Sequence, residues 1–175
     1  MPRRRPPADA DRWMQLDRQL CFALYSTSLA MTKLYKRPLA ALGLTYPQYL
    51  VLLVLWEHDA LSVSELGVRL CLDSGTLTPL LKRMQAAGLL TRERAEFDER
   101  RVVVSLTDAG HALRAQGRGV PRQMGAATGF AASEVLALTQ QLQQLRDRLQ
   151  RSPEFPPASA RKAPALSAVI RNPTH

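Results

Sequence analysis

Few residues of this 175-residue chain could do covalent chemistry, and the two cysteines, Cys21 and Cys71, come first among them. A thiol attacks only as its thiolate, so the groups around each sulfur decide whether it reacts. In Gln19-Leu20-Cys21-Phe22-Ala23-Leu24-Tyr25 a helix puts Tyr25, four residues on, on the same face as Cys21. Tyr35 falls close to that stripe, because fourteen steps of about 100° return within about 40° of the start. Along the axis it stands roughly 21 Å away, at about 1.5 Å per residue. Within one helix Tyr35 cannot touch Cys21. From a second copy crossing antiparallel it can, each Tyr35 approaching the other's Cys21. Taken by itself, a cysteine on a helix reads as a small buried hydrophobe.

Other chemistries find little support. His58, His111 and His175 are isolated and show no ligand spacing, so no metal is expected. There is neither a glycine-rich phosphate loop nor a nucleophile elbow, and no cofactor or enzymatic activity is expected. The cysteines have neither a secreted-framework density nor C-x-x-C spacing, which reads as reduced thiols. Cys71 reads as a packed, inert one, with direct involvement in sensing as the alternative. A net charge of +9 and a pI near 10.4 imply an anionic partner, and DNA, RNA or a membrane surface would each qualify. No segment reaches the roughly 18 apolar residues of a membrane span. The basic N-terminus lacks the apolar core of a signal peptide, so a cytoplasmic location is expected.

The elements that must position these residues follow from punctuation and period. Met1 to about Ala10 reads as a disordered basic arm. A long helix runs from about Asp11 to Arg37, with Pro38 ending or bending it and a short continuation to Gly43. Thr45-Tyr46-Pro47-Gln48 is a capping box opening an apolar helix through Trp56. Helices of residues 11–60 would serve sensing and dimerisation. Residues 61–106 read as helix, turn, helix and a two-stranded wing. Ser62-Val63-Ser64-Glu65 is a second capping box, and Asp73 starts the next helix as its N-cap. There Leu77, Leu80, Leu81 and Met84 take the buried period, leaving Gly75, Thr78, Pro79 and Lys82 opposite, with Ser74 at the start and Thr76 and Arg83 flanking. Small residues near its N-terminus let the backbone approach base edges, while Lys82 and Arg83 reach guanine or phosphate in a major groove. Gly88 ends this helix as a left-handed residue.

Alternation then gives two strands, Leu90, Arg92 and Arg94 on one and Val102, Val104 and Leu106 on the other. Their charged tip, including Arg94, Asp98, Arg100 and Arg101, suits a narrow minor groove, with a solvated hairpin as the plain alternative. Thr107 caps a fifth helix toward Gly117, and Gly119, Pro121, Gly125 and Gly129 break the pattern. A last helix from Ser133 carries Val135, Leu138, Leu142, Leu145 and Leu149 in steps of three and four. That seam suits a second subunit, or packing within the monomer. Residues 107–151 are read as the C-terminal dimerisation region and 152–175 as a disordered tail.

Leu61 to Leu106, with Asp98-Glu99-Arg100 as its Asp-x-Arg wing signature, resembles the MarR family of transcription regulators. The words around Cys21, Met31-Thr32-Lys33-Leu34-Tyr35-Lys36, Leu44 to Tyr49 and Leu72 to Arg83 closely resemble its organic hydroperoxide resistance branch, over about Leu16 to Leu113. The resemblance implies a mainly α-helical chain with a small β-wing, a winged helix-turn-helix in an α-helical homodimer. It implies a repressor of double-stranded operator DNA whose Cys21 is oxidised by an organic hydroperoxide as inducer. Tyr25, Tyr35 and Tyr46 match the thiolate-holding positions, the last two from the partner subunit, and Arg100 becomes the minor-groove residue oriented by Asp98. Some members resolve the oxidised sulfur with a second cysteine after the wing. Residues 119–130 hold none, so this chain resembles the one-cysteine type, which finishes as a mixed disulfide with a small cellular thiol. A regulator of a non-covalent aromatic ligand and a thiol peroxidase are the competing readings. An unchanged response in Cys21→Ser would favour the first, and multiple turnover the second.

Overall fold

The computed structural model describes residues 13–95 and 98–152, without the side chains of 95 and 98–100. The basic arm expected over 1–10 and the tail expected beyond Ser152 lie outside the described residues. Two compact units divide the chain, Met1–Ala127 and Thr128–His175.

The first long helix, α1, spans Leu20–Ala40, so it starts later than its apolar pattern suggests. A 3-10 turn at Leu16–Arg18 precedes it, and Gln19 is extended (φ −84°, ψ 114°). The Gln19 side-chain amide donates to the Trp13 carbonyl across this break. Pro38 sits in the last turn and the helix stops two residues later. Gly43 then turns left-handed at φ +69°. Leu44 N donates to Leu39 O at 2.9 Å and Gly43 N to Ala40 O at 3.1 Å, which is Schellman closure.

Helix α2, Tyr46–Glu57, opens on the expected capping box, with Thr45 N donating to Gln48 Oε1 at 2.8 Å. Tyr49, Val51, Leu52, Val54, Leu55 and Trp56 are buried, so this helix is apolar all round because it runs through the core. β1 (Leu61–Ser62) leads into α3 (Val63–Leu70) and α4 (Ser74–Ala86). β2 (Leu90–Ala95) and β3 (Asp98–Leu106) form the wing. The two wing strands stand as expected, and a short third strand joins them in an antiparallel sheet of order β1-β3-β2. The added strand pairs Leu61 with Val104 and Ser62 with Val103. Two residues ahead of a capping box are too short to alternate, which is why it escaped the pattern.

Cys71 closes α3 in the left-handed region at φ 55° and is exposed, contrary to the packed thiol expected. It holds the left-handed position at which helices commonly place glycine.

After the wing come α5 (Asp108–Gly117) and α6 (Val120–Ala127). The second of these crosses the stretch whose glycines and proline were expected to break the helical pattern. Pro121 falls in its first turn, where a missing N–H is harmless, and Val120 and Met124 bury one face, with α6 lying beside α1. In the second unit α7 spans Ala132–Arg151, its Leu138, Leu142 and Leu149 exposed.

One close approach ties the turn after α4 to the helical core. Trp56 Nε1 donates to Gly110 O at 3.0 Å. A Cβ on Gly110 would stand 2.2 Å from the Leu89 carbonyl oxygen, so α2, α5 and the turn after α4 meet where only glycine fits.

Candidate functional site

The N-cap bond of α4 runs from Thr76 N to Asp73 Oδ1 at 2.9 Å, and the Thr76 hydroxyl donates to Asp73 Oδ2 at 3.0 Å. Those donors, the backbone one first, hold the Asp73 carboxyl below its usual range. Leu77, Leu80, Leu81 and Met84 are buried, which fixes how the helix is rotated. Ser74, Gly75, Thr76, Pro79, Lys82 and Arg83 are therefore exposed together, with Thr78 half-buried between them. This outward face is narrow at the N-terminus and cationic farther along, as major-groove insertion requires.

In the wing, Arg94 is exposed on β2 opposite Val102. Asp98 and Arg100 stand at the start of β3 with their side chains outside the described part. Arg101 lies against the α3 capping box, its Nη2 3.4 Å from Glu65 Oε2, in an exposed ion pair. The Ser62 hydroxyl, then the Ser62 N–H, lower the Glu65 carboxyl below its usual range, with Arg101 adding to the effect. Exposed pairs of this kind hold weakly, so the guanidinium can exchange the carboxylate for a phosphate.

The sensing residues fall into two groups. Cys21 is exposed near the start of α1, one turn from Tyr25, itself 61% exposed. Leu20, Phe22, Leu29 and Leu34 are also exposed, so α1 carries much uncovered apolar surface. Tyr35, near the other end, is brought onto Tyr46 of α2 with ring centroids 4.6 Å apart. The single chain thus gathers two of the three expected phenols and leaves Cys21 and Tyr25 apart from them.

A third phenol joins the pair, and sequence reasoning treated it only as core. The Tyr49 ring lies 6.2 Å from Tyr35 and stands edge-on to Trp56 at 6.2 Å. The signal was available, since Tyr46 and Tyr49 are three residues apart and Trp56 lies seven beyond Tyr49 on one helical stripe. Burial pushes all three tyrosine hydroxyls above the ordinary phenol range, and the neighbouring rings add to this for Tyr35 and Tyr49. At physiological pH they are neutral O–H donors. The Tyr49 hydroxyl is buried with no hydrogen-bond partner among the described residues, a state that typically costs about 1–3 kcal/mol. Among the described residues no cluster of His, Cys, Asp or Glu could hold a metal, and no helix is long and apolar enough to cross a membrane.

Comparison with known proteins shows the family. A family model described as transcriptional regulator SarA/Rot matches residues 33–115. The HTH-type transcriptional regulator TtmR of Methylorubrum extorquens (strain PA1) is 50% identical over 148 residues, 83% of this chain and 76% of that protein. The organic hydroperoxide resistance transcriptional regulator of Bacillus subtilis (strain 168) is 56% identical over 108 residues, 62% of this chain and 74% of that protein. Among solved structures, AbfR of Staphylococcus epidermidis, in its reduced form bound to DNA, is similar with a TM-score of 0.64 and 34% identity over 80% of this chain and 97% of that one. By these likenesses the chain belongs to the MarR family of DNA-binding transcription regulators, on its organic hydroperoxide resistance branch.

Proposed function

We propose that this regulator is a homodimeric repressor that holds its operator while Cys21 is reduced and releases it when an organic hydroperoxide oxidises that sulfur. The observation that carries the reading is the Tyr35–Tyr46 pair at 4.6 Å, held at the opposite end of α1 from an exposed Cys21. A second copy laid antiparallel along the apolar face of α1 brings each phenol pair to the other copy's Cys21. Tyr25 completes the set from Cys21's own chain. Neutral phenols donate to a thiolate and keep sulfur in its nucleophilic form, while the surrounding apolar side chains favour an alkyl hydroperoxide over a strongly hydrated oxidant.

The thiolate attacks the terminal peroxide oxygen, an S–O bond forms, the O–O bond breaks and the alkoxide leaves as alcohol after taking a proton. The cysteine, now a sulfenic acid, condenses with a small cellular thiol, losing water and forming a mixed disulfide. On DNA, the exposed face of α4 enters the major groove, and Arg94, Arg100 and Arg101 bring the wing to the minor groove with Asp98 orienting Arg100. An adduct lodged between subunits changes the separation of the two α4 helices from the roughly 34–36 Å of one DNA turn. The protein would act in the cytoplasm, where DNA and reduced thiols coexist. The name of the Bacillus subtilis relative supports the choice of inducer.

Intact-mass measurement with peptide mapping tests this. Cumene hydroperoxide alone is expected to add oxygen at Cys21, and hydroperoxide with glutathione to leave a glutathione adduct there. An unmodified Cys21, or modification confined to Cys71, would overturn the reading.

A further inference from the structure

Tyr49 is only 1% exposed, yet its hydroxyl has no hydrogen-bond partner among the described residues. Phenylalanine would fill the same space and leave no polar atom unmet, so the hydroxyl calls for an acceptor that a modest shift of a neighbouring side chain brings into reach. Its ring cannot swing far to find one. Trp56 stands edge-on to it and is itself anchored on the Gly110 carbonyl. Gly117 closes the other side, where an added Cβ would lie 3.3 Å from the Trp56 ring and 3.7 Å from Tyr49. The neighbouring phenol that can supply an acceptor is Tyr35, with its ring at 6.2 Å. A phenol oxygen whose hydrogen is donated to a thiolate keeps lone pairs with which to accept.

We propose that Tyr49 is a fourth phenol of the sensing site, donating to the Tyr35 oxygen while Tyr35 donates to the partner copy's Cys21. Tyr49 is thus a positioning residue. It fixes the Tyr35 hydroxyl and, because hydrogen bonds in a chain polarise one another, strengthens the bond that reaches sulfur. The inference rests on the reading that Tyr35 serves Cys21. The raised hydroxyls of Tyr35, Tyr46 and Tyr49 are consistent with it, since all three stay protonated donors.

The test follows iodoacetamide alkylation of the Cys21 peptide against pH in the full-length reduced protein, as wild type, Tyr49→Phe, Tyr35→Phe and the double variant. Tyr49→Phe is expected to raise the alkylation midpoint by about half a pH unit and to slow oxidation by cumene hydroperoxide about threefold at neutral pH. The double variant should be no slower than Tyr35→Phe, because Tyr49 acts through Tyr35. A Tyr49→Phe protein with a wild-type profile and a higher melting temperature, beside a shifted Tyr35→Phe, would overturn this inference and leave the site standing. A wild-type profile in both single variants would overturn the site as well.

Discussion

The Cys21→Ser protein is expected to bind DNA as tightly as wild type and to keep it after hydroperoxide treatment that makes the wild type let go. The measurement is titration of a labelled duplex, selected by the reduced wild-type protein from a random-sequence pool, before and after exposure to cumene hydroperoxide. Serine preserves the size of the side chain on an exposed helix position and cannot form a sulfenic acid, so folding and DNA contacts persist while the trigger is gone. The size of the wild-type response can be bounded. In the proposed mechanism, oxidation would remove a charge held by two phenols of the partner copy through hydrogen bonds of about 1.5–3 kcal/mol each. A complete switch from 1:99 to 99:1 requires about 5.5 kcal/mol. Hydroperoxide alone should therefore weaken binding by about a hundredfold or more, and glutathione added with it should take release further by lodging a bulky group at the same sulfur. A Cys21→Ser protein that still releases its duplex on treatment would remove the covalent trigger.

The largest effect on stability belongs to Gly110→Ala. The added methyl would meet the Leu89 carbonyl oxygen at 2.2 Å and Leu106 Cδ2 at 3.0 Å. The first of these cannot yield cheaply, because Leu89 O also accepts from Thr107 N at 3.2 Å at the start of α5. Relief requires α5 to move off the turn that follows α4, and with it the carbonyl that Trp56 holds. A loss of about 3 kcal/mol is expected, at the upper end for overpacking, read as a lower urea midpoint of the reduced protein. Gly125→Ala is the matched control. It lies within α6, where a Cβ meets nothing within 4 Å, and should stabilise by about 0.5–1 kcal/mol. Equal midpoints for wild type and Gly110→Ala would show that α5 does not pack on this turn as described.

Much of this was legible in the amino-acid order because the determinants are local. The Ser62–Glu65 and Thr45–Gln48 boxes, the Asp73 cap and the left-handed Gly88 are each written within a few residues, and all appear where spacing put them. The buried stripe of α4 likewise settles its outward face without tertiary knowledge. Non-local features were harder to see. β1 exists only because Leu61 and Ser62 find Val104 and Val103 some forty residues away. The start of α1 at Leu20 is set by an extended Gln19, a backbone break that periodicity does not mark. Helix α6 forms across a glycine- and proline-bearing stretch because Val120 and Met124 find the core. Tyr46 and Tyr35 are eleven residues apart on different helices, so their tilted ring contact needed the α1–α2 turn closed at Gly43. Helix rise alone separated Tyr35 from Cys21, and that separation is what makes the proposed site a property of two chains.

Mixed dimers test that claim most directly. A copy carrying Cys21→Ser is combined with a copy carrying Tyr35→Phe, and the oxidation rate of the remaining Cys21 is followed by peptide mass. In the mixed dimer that cysteine faces the intact Tyr35 of the Cys21→Ser copy, so its rate should return to that of wild type while the Tyr35→Phe homodimer stays slow. A mixed dimer as slow as the Tyr35→Phe homodimer would mean that the phenol acts within its own chain, and the shared site would be wrong.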